Sequence, residues 1–126
     1  MKKIIFTEKA PAPIGPYSQA ILSGDTLYVS GQVALNPENG ELMMDSIESQ
    51  THQVMKNLSA VLQAAEMSFE NVVKATIFIT DMNNFSRINT VYGSYFPSDY
   101  SPARETVQVS ALPRNVDVEI SVIAVR

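Results

Sequence analysis

The residues most able to do chemistry lie in the last quarter of the 126-residue chain, Ser101 to Arg126. Two alternating runs flank a turn expected at Leu112-Pro113-Arg114-Asn115, where Pro113 fixes φ and Asn115 tolerates unusual dihedrals. In Ala103 to Val109, Val107 and Val109 share a face, and Arg104, Thr106 and Gln108 share the other. In Val116 to Ala124, Val116, Val118, Ile120, Val122 and Ala124 alternate with Asp117, Glu119 and Ser121. Period-two alternation is what a half-buried strand requires. Paired as a hairpin, the runs would set Arg104 and Glu119 on one non-core face. Two readings of that pair are open. One is a surface cross-strand ion pair worth under about 1 kcal/mol. The other is a carboxylate-gripping arginine beside a general base, and the choice depends on the rest of the chain.

The length suits a single domain, 1–126, large enough to bury a core. The formal charge of −4 and pI of about 4.8 argue against a nucleic-acid partner held by phosphate contacts, which needs a basic patch. Without cysteine, disulfides and thiolate chemistry are excluded, and a reducing compartment is a natural fit. The apolar run after Lys2-Lys3 stops at Thr7-Glu8-Lys9, too short for a signal peptide, and no run approaches a membrane span. A soluble cytoplasmic protein with no membrane partner is the expectation.

Lys3 to Thr7 reads as a short strand. Three prolines in Ala10 to Pro16 then break regular structure and place the hydroxyl of Tyr17 beside the break. Ala20 to Leu22 and Thr26 to Ser30 read as strands around a hairpin loop at Ser23-Gly24-Asp25. Ser30-Gly31-Gln32 ends the second, and Gly31, lacking Cβ, allows close approach of backbone to a neighbour or ligand. Asn36 to Gly40 is a turn cluster.

Ser46 to Glu66 is the clearest helix. Ile47, Thr51, Val54, Leu58, Val61, Leu62 and Ala65 make one stripe, and Asp45 with Glu48 has the form of a capping box. His52, the only histidine, falls on the opposite, solvated side, with no second ligand to share a metal. Asn71 to Thr80 reads as a strand with Val73, Ala75, Ile77 and Ile79 on one face and Lys74, Thr76 and Phe78 on the other. Asp81 to Phe96 is a second helix with a stripe of Phe85, Ile88, Tyr92, Tyr95 and Phe96, which reads as core; Asn89 falls off it, and Pro97-Ser98 ends it.

The order β-β-β-α-β-α-β-β with two one-sided helices predicts an α+β domain whose helices cover one sheet face. The other face would carry Lys74, Thr76, Phe78, Arg104, Thr106, Gln108, Asp117, Glu119 and Ser121, together with Ile123 and Val125. A half-polar face with large apolar members suits contact with identical chains in a closed ring.

Four segments in order, Ile14-Gly15-Pro16-Tyr17-Ser18-Gln19-Ala20, Val29-Ser30-Gly31-Gln32, Val73 to Ile79 and Pro102-Ala103-Arg104, resemble the RidA (YjgF/YER057c/UK114) family, as do the closing Leu112-Pro113 and Val118-Glu119-Ile120. The resemblance covers essentially the whole chain. It implies a chorismate-mutase-like fold, a mixed sheet with two helices on one face, and a barrel-like homotrimer with a site at each subunit interface. It further implies hydrolysis of 2-imino acids and their enamine tautomers, such as 2-iminobutanoate and 2-iminopropanoate, to 2-oxo acids and ammonia, with no cofactor or metal. The family's arginine falls on Arg104 and its water-positioning glutamate on Glu119. Tyr17, Ser30, Gly31 and Asn89 match positions lining the family's site. Where many members have cysteine, this chain has Thr106, whose main chain can still serve. Glu105 stands where a small residue is commoner, and alternation points it away from Arg104. Two rivals remain: a non-catalytic protein that binds small carboxylates such as 2-oxo acids, and a ribonuclease or translation inhibitor, which the acidic charge disfavours.

Overall fold

In the computed structural model, which describes residues 1–97 and 99–126, the elements follow the expected order. β1 is Lys2–Ile5, β2 Ala20–Ser23, β3 Thr26–Gln32, α1 Ile47–Ala64, β4 Val72–Ile79, α2 Phe85–Gly93, β5 Ala103–Gln108 and β6 Val118–Val125. Among the described residues the strands form one six-stranded sheet, ordered β1-β2-β3-β6-β4-β5. All neighbouring pairs are antiparallel except β4 and β5. Among the described residues no helix is long and apolar enough to cross a membrane.

The expected hairpin of the last two strands does not form. β4 lies between β5 and β6, and α2 supplies the crossover that a parallel β4–β5 pair requires. The turn before β6 is present, as a single 3₁₀ turn at Pro113–Asn115 in which Arg114 and Asn115 both take positive φ, 60° and 57°. It redirects the chain rather than joining hydrogen-bonded partners. Ser98, expected with Pro97 to end the second helix, lies outside the described residues; the α-helix itself stops earlier, at Gly93, and begins after a 3₁₀ turn at Met82–Asn84 capped by Asp81.

α1 buries its whole predicted stripe. Ser46, not Asp45, is the cap: its extended backbone places Oγ to accept from the Ser49 amide at 3.0 Å, satisfying an orphan N–H of the first turn. Beneath it, Leu27, Val29, Ala75, Ile77, Ile79, Val118, Ile120 and Val122 form the sheet's half of the core. A side chain such as Leu58, fully buried here, contributes about 1.5–3 kcal/mol by leaving water. Two irregularities alter the expected alternation. A register shift between Val72 and Lys74 turns Val72 inward and leaves Val73 exposed, the reverse of the simple pattern. A second shift, between Val29 and Gln32, sets Ser30 and Gly31 off the ladder opposite β6.

The proline-rich stretch between β1 and β2 is held by one side chain. Gln19 is almost wholly buried. Its Oε1 accepts from the Thr7 amide at 2.7 Å, and its Nε2 donates to the carbonyls of Thr7 and Pro11 at 2.9 Å and of Ala10 at 3.3 Å. Replacing Gln19 with leucine strands these loop groups without partners. Urea unfolding is expected to show a loss on the order of 2–3 kcal/mol; a loss below about 0.5 kcal/mol would mean the loop is held by other means.

Candidate functional site

β5 is an edge strand, and its orientation decides the site. Arg104 pairs with Ala75, Thr106 with Ile77 and Gln108 with Ile79, so all three point to the helix side of the sheet. Val107 is therefore exposed on the open side, and Glu105 bonds there to Thr76 Oγ1 at 2.9 Å and Lys74 Nζ at 3.2 Å. Those two partners hold the Glu105 carboxyl below its ordinary range, the Thr76 hydrogen bond acting most. Glu119 pairs with Phe78 and points to the open side. Arg104 and Glu119, expected on one face, stand on opposite faces of the same sheet. Arg104, Thr106 and Gln108 thus leave the face to which the alternation assigned them. Asp117 leaves it too: it accepts from Gln50 of α1 at 2.7 Å through Oδ2.

Each residue anchors a separate cluster. On the helix side, Arg104 Nη1 donates to Asn89 Oδ1. Its guanidinium carbon lies 5.1 Å from the Tyr92 ring centre and 5.7 Å from that of Phe85. Cation–π attraction and the amide bond fix the plane of the fork. Among the described residues its other N–H groups have no partner within the chain. Thr106 shares the crevice formed by Ile77, Ile79, Phe85, Ile88, Asn89 and Arg104, and its Oγ1 is buried without a hydrogen bond. Tyr92 is buried, its hydroxyl also unpartnered; burial pushes its pKa up to about 12, against the opposing pull of Arg104. α2 is tied to α1 by a forked pair: Arg87 Nε and Nη2 donate to Glu48 at 2.8 and 2.6 Å.

On the open side, Glu119 lies in a hollow of about 470 Å³ lined also by Pro11, Ala12, Ile14, Tyr17, Gly31, Val33, Leu35, Pro113 and Arg114. Gly31 is needed here for space, not for backbone conformation. A Cβ on it would stand 2.8 Å from Glu119 Cδ and 3.0 Å from Cγ and Oε2, forcing the carboxylate to swing away. Burial raises the Glu119 pKa above the ordinary glutamate value. Tyr17 walls this hollow and an adjoining one that includes Ser30. The Ser30 hydroxyl donates to the Ser18 carbonyl at 2.6 Å, so it is engaged in holding the loop. His52, as expected, is exposed on α1, its Nδ1 2.8 Å from the Tyr95 hydroxyl.

The structure therefore groups Arg104, Asn89 and Thr106 in one cluster, and Tyr17, Gly31 and Glu119 in another with Ser30 alongside. Phe85 and Tyr92 as the bed of the arginine, and Arg114 on the rim of the hollow, were not singled out by the sequence. Their helical spacing marked Phe85 and Tyr92 as core. An unpaired basic residue after a turn proline was the only available sign of Arg114.

A mixed six-stranded sheet backed by two helices, presenting a fixed guanidinium and a partly desolvated carboxylate, defines a small α+β protein. The chain belongs to the family described as Endoribonuclease L-PSP, whose model matches residues 7–126, the family also called YjgF/RidA. It is 48% identical over 126 residues to the 2-iminobutanoate/2-iminopropanoate deaminase of Bos taurus, covering 100% of this chain and 91% of that protein. It is also 48% identical over 124 residues to a RutC family protein of Pyrococcus horikoshii, covering 98% of each. The solved structure of the Rid-family protein YyfA from Yersinia pestis superposes with a TM-score of 0.97 at 51% identity over the full length of both chains.

The raised Glu119 pKa has a definite sign. Its folded value lies above the unfolded one, so its contribution to stability is present below the unfolded pKa and is lost as pH rises through the folded one. The stability of Glu119→Gln relative to wild type is expected to grow between about pH 4 and pH 7. Urea midpoints across that range check it, and a constant difference would mean that Glu119 is as well solvated in the fold as in the unfolded chain.

Proposed function

We propose that the protein hydrolyses reactive 2-imino acids, and their enamine tautomers, to 2-oxo acids and ammonia, at a site completed by two neighbouring chains of a homotrimer. The observation that carries this reading is the division of the site. Arg104 is rigidly held and has N–H groups to spare, Glu119 is partly buried beside a hollow, and the sheet separates them within one chain. The open face supplies a reason for assembly, since Tyr28, Val73, Val107 and Val125 expose large apolar area. A cyclic arrangement that lays the β5 edge of one chain near the β3–β6 hollow of the next brings both clusters to one ligand. The kinship with a bovine protein named for this deaminase activity supports the chemistry.

The residues suit the reaction. Guanidinium is planar and permanently charged, and it grips a carboxylate through two parallel hydrogen bonds. At about 4 Å and an effective dielectric near 20, the attraction is roughly 4 kcal/mol, enough to orient a small acid. Adjacent to that carboxylate, the C=N carbon is already electrophilic. Glu119 takes a proton from a water as its oxygen bonds to that carbon, giving a carbinolamine. Glu119 then returns that proton to the nitrogen, the C–N bond breaks as ammonia leaves, and the hydroxyl proton passes to the freed Glu119 carboxylate as the C=O group forms. A carboxylate whose pKa is raised by burial is a better proton acceptor at neutral pH than an exposed one. Tyr17 adds a hydroxyl and a wall, and the Gly31 backbone approaches without a side chain between. The chemistry proceeds without a covalent bond between enzyme and substrate.

A coupled assay tests the activity. A pyridoxal-phosphate threonine dehydratase with threonine releases the imine, semicarbazide traps it, and 2-oxobutanoate release is followed. Acceleration is the expected result. Tight binding of 2-oxobutanoate without acceleration would mean a binding protein instead, and RNA cleavage with neither would mean a ribonuclease. Arg104→Lys keeps the charge, loses the fork and is expected to lose most activity while remaining folded; wild-type rates would remove the bidentate grip. Glu119→Ala is expected to lower turnover more than affinity, and equal losses would make Glu119 a binding group.

Shared sites predict complementation. Arg104→Lys and Glu119→Ala chains, each weak alone, are unfolded together and refolded as a mixture. If a site takes one residue from each of two chains, about a quarter of the sites become intact. Recovery near that fraction is expected. No recovery from a mixture shown by mass to contain hybrid trimers would place both residues of a site on one chain.

A further inference from the structure

The hollow beside Glu119 is larger than a four-carbon imino acid needs, and its far end has a distinct character. Its volume of about 470 Å³ lies within the range of small-molecule sites, about 300–1,000 Å³. Pro11, Ala12, Ile14, Leu35 and Arg114 also line a second hollow of about 480 Å³, so the two adjoin along this wall. The wall is apolar apart from Arg114. That residue is exposed and makes no ion pair or side-chain hydrogen bond among the described residues. Its backbone is also held in an uncommon state. Arg114 and Asn115 lie consecutively in the left-handed region, directly after Pro113. Asparagine tolerates that region far better than arginine does, and strain of this kind gathers at ligand sites.

We propose that Arg114 and this apolar wall form a side-chain subsite that admits 2-imino acids with an extended side chain ending in a carboxylate, the 2-imino dicarboxylic acids. The proposal rests on the deaminase reading and adds a substrate class to it. Arg104 holds the carboxylate next to the C=N carbon and Glu119 activates the water. The methylene groups of the side chain lie along Pro11, Ala12, Ile14 and Leu35, and the terminal carboxylate meets the Arg114 guanidinium. Water adds across C=N and ammonia leaves as for the short substrates, so the second carboxylate enters no bond change. Glu8, in the second hollow, sets a limit on reach: a carboxylate carried beyond Arg114 meets like charge.

The test compares two imines generated in place, 2-iminoglutarate from L-glutamate with L-glutamate oxidase and 2-iminobutanoate from L-2-aminobutyrate with an L-amino-acid oxidase. Hydrolysis is read as suppression of semicarbazone formation. Wild type is expected to accelerate loss of both. Arg114→Asn, which suits the left-handed turn and so preserves the fold, is expected to lower the ratio of kcat/KM for 2-iminoglutarate to that for 2-iminobutanoate tenfold or more, mainly through KM. Arg114→Lys is expected to restore most of that ratio. Wild type acting on 2-iminobutanoate but not on 2-iminoglutarate overturns the subsite and leaves the deaminase reading standing. So does an Arg114→Asn ratio equal to wild type. Activity on neither imine overturns the deaminase reading. In that case calorimetric binding of 2-oxoglutarate and 2-oxobutanoate decides the subsite: selective loss of 2-oxoglutarate affinity in Arg114→Asn supports it, and parallel or absent loss overturns it.

Discussion

The placement of β4 between β5 and β6 governs everything else about the site. In a sheet, side chains at paired positions share a face, and the next position along the strand takes the other. Ala75 is core, so its partner Arg104 faces the helices; Phe78 is not, so its partner Glu119 faces away. No rotamer change carries either across the sheet. The parallel pairing of β5 is itself a consequence of α2, which returns the chain to the starting end of β4. One crossover helix therefore sets the polarity of the edge strand and supplies Phe85, Asn89 and Tyr92 to hold its arginine.

The two clusters are built to opposite electrostatic ends. Around Arg104, an amide oxygen and two aromatic faces interact favourably with a cation and hold its plane, which preserves both charge and direction. Around Glu119, Pro11, Ala12, Ile14, Val33 and Leu35 withdraw solvent and make the charged form less comfortable. Under the proposed reading, an anion-binding group gains from the first environment and a proton-accepting group gains from the second. Glycine at position 31 belongs to the same design: with no side chain there, the carboxylate lies directly against backbone.

Much of this was legible in the sequence. The stripe of α1 and the order of elements appear as the periodicity demands, because each is decided by local chemistry and one-sided burial. The orientation of β5 was not legible. Alternation shows that Arg104, Thr106 and Gln108 share a face, but it does not show which face is inside. Val107 and Val109 suggested the wrong one. An edge strand whose inner neighbours are Tyr92 and Phe85 can turn a guanidinium inward and leave a valine outside. The inward valine of β4 was misjudged by one position for a related reason, since a bulge at Val72 shifts the alternation and leaves no mark in composition. The family motifs marked Tyr17, Ser30, Gly31, Asn89, Arg104, Thr106 and Glu119 as one set, but motifs carry no sign that the sheet sets Arg104 and Glu119 on opposite faces.

Under the reading proposed, that division ties turnover to assembly. An isolated chain would have a hollow with a base and no anchor for the carboxylate, and an anchor with no hollow of its own. The apolar area on the open face favours association, and a ligand bridging two chains would add its own binding energy to the contact. Substrate and neighbouring subunit would then stabilise one another by linkage, each binding more tightly when the other is present. The same geometry explains why the guanidinium must be fixed before assembly. A flexible arginine on an exposed edge would lose conformational freedom at the moment of binding, whereas one already pressed between Tyr92, Phe85 and Asn89 loses little. The tyrosine in the core stripe of α2 thus serves two ends with one ring: it fills the space under the edge strand, and it aims the charge that the strand presents.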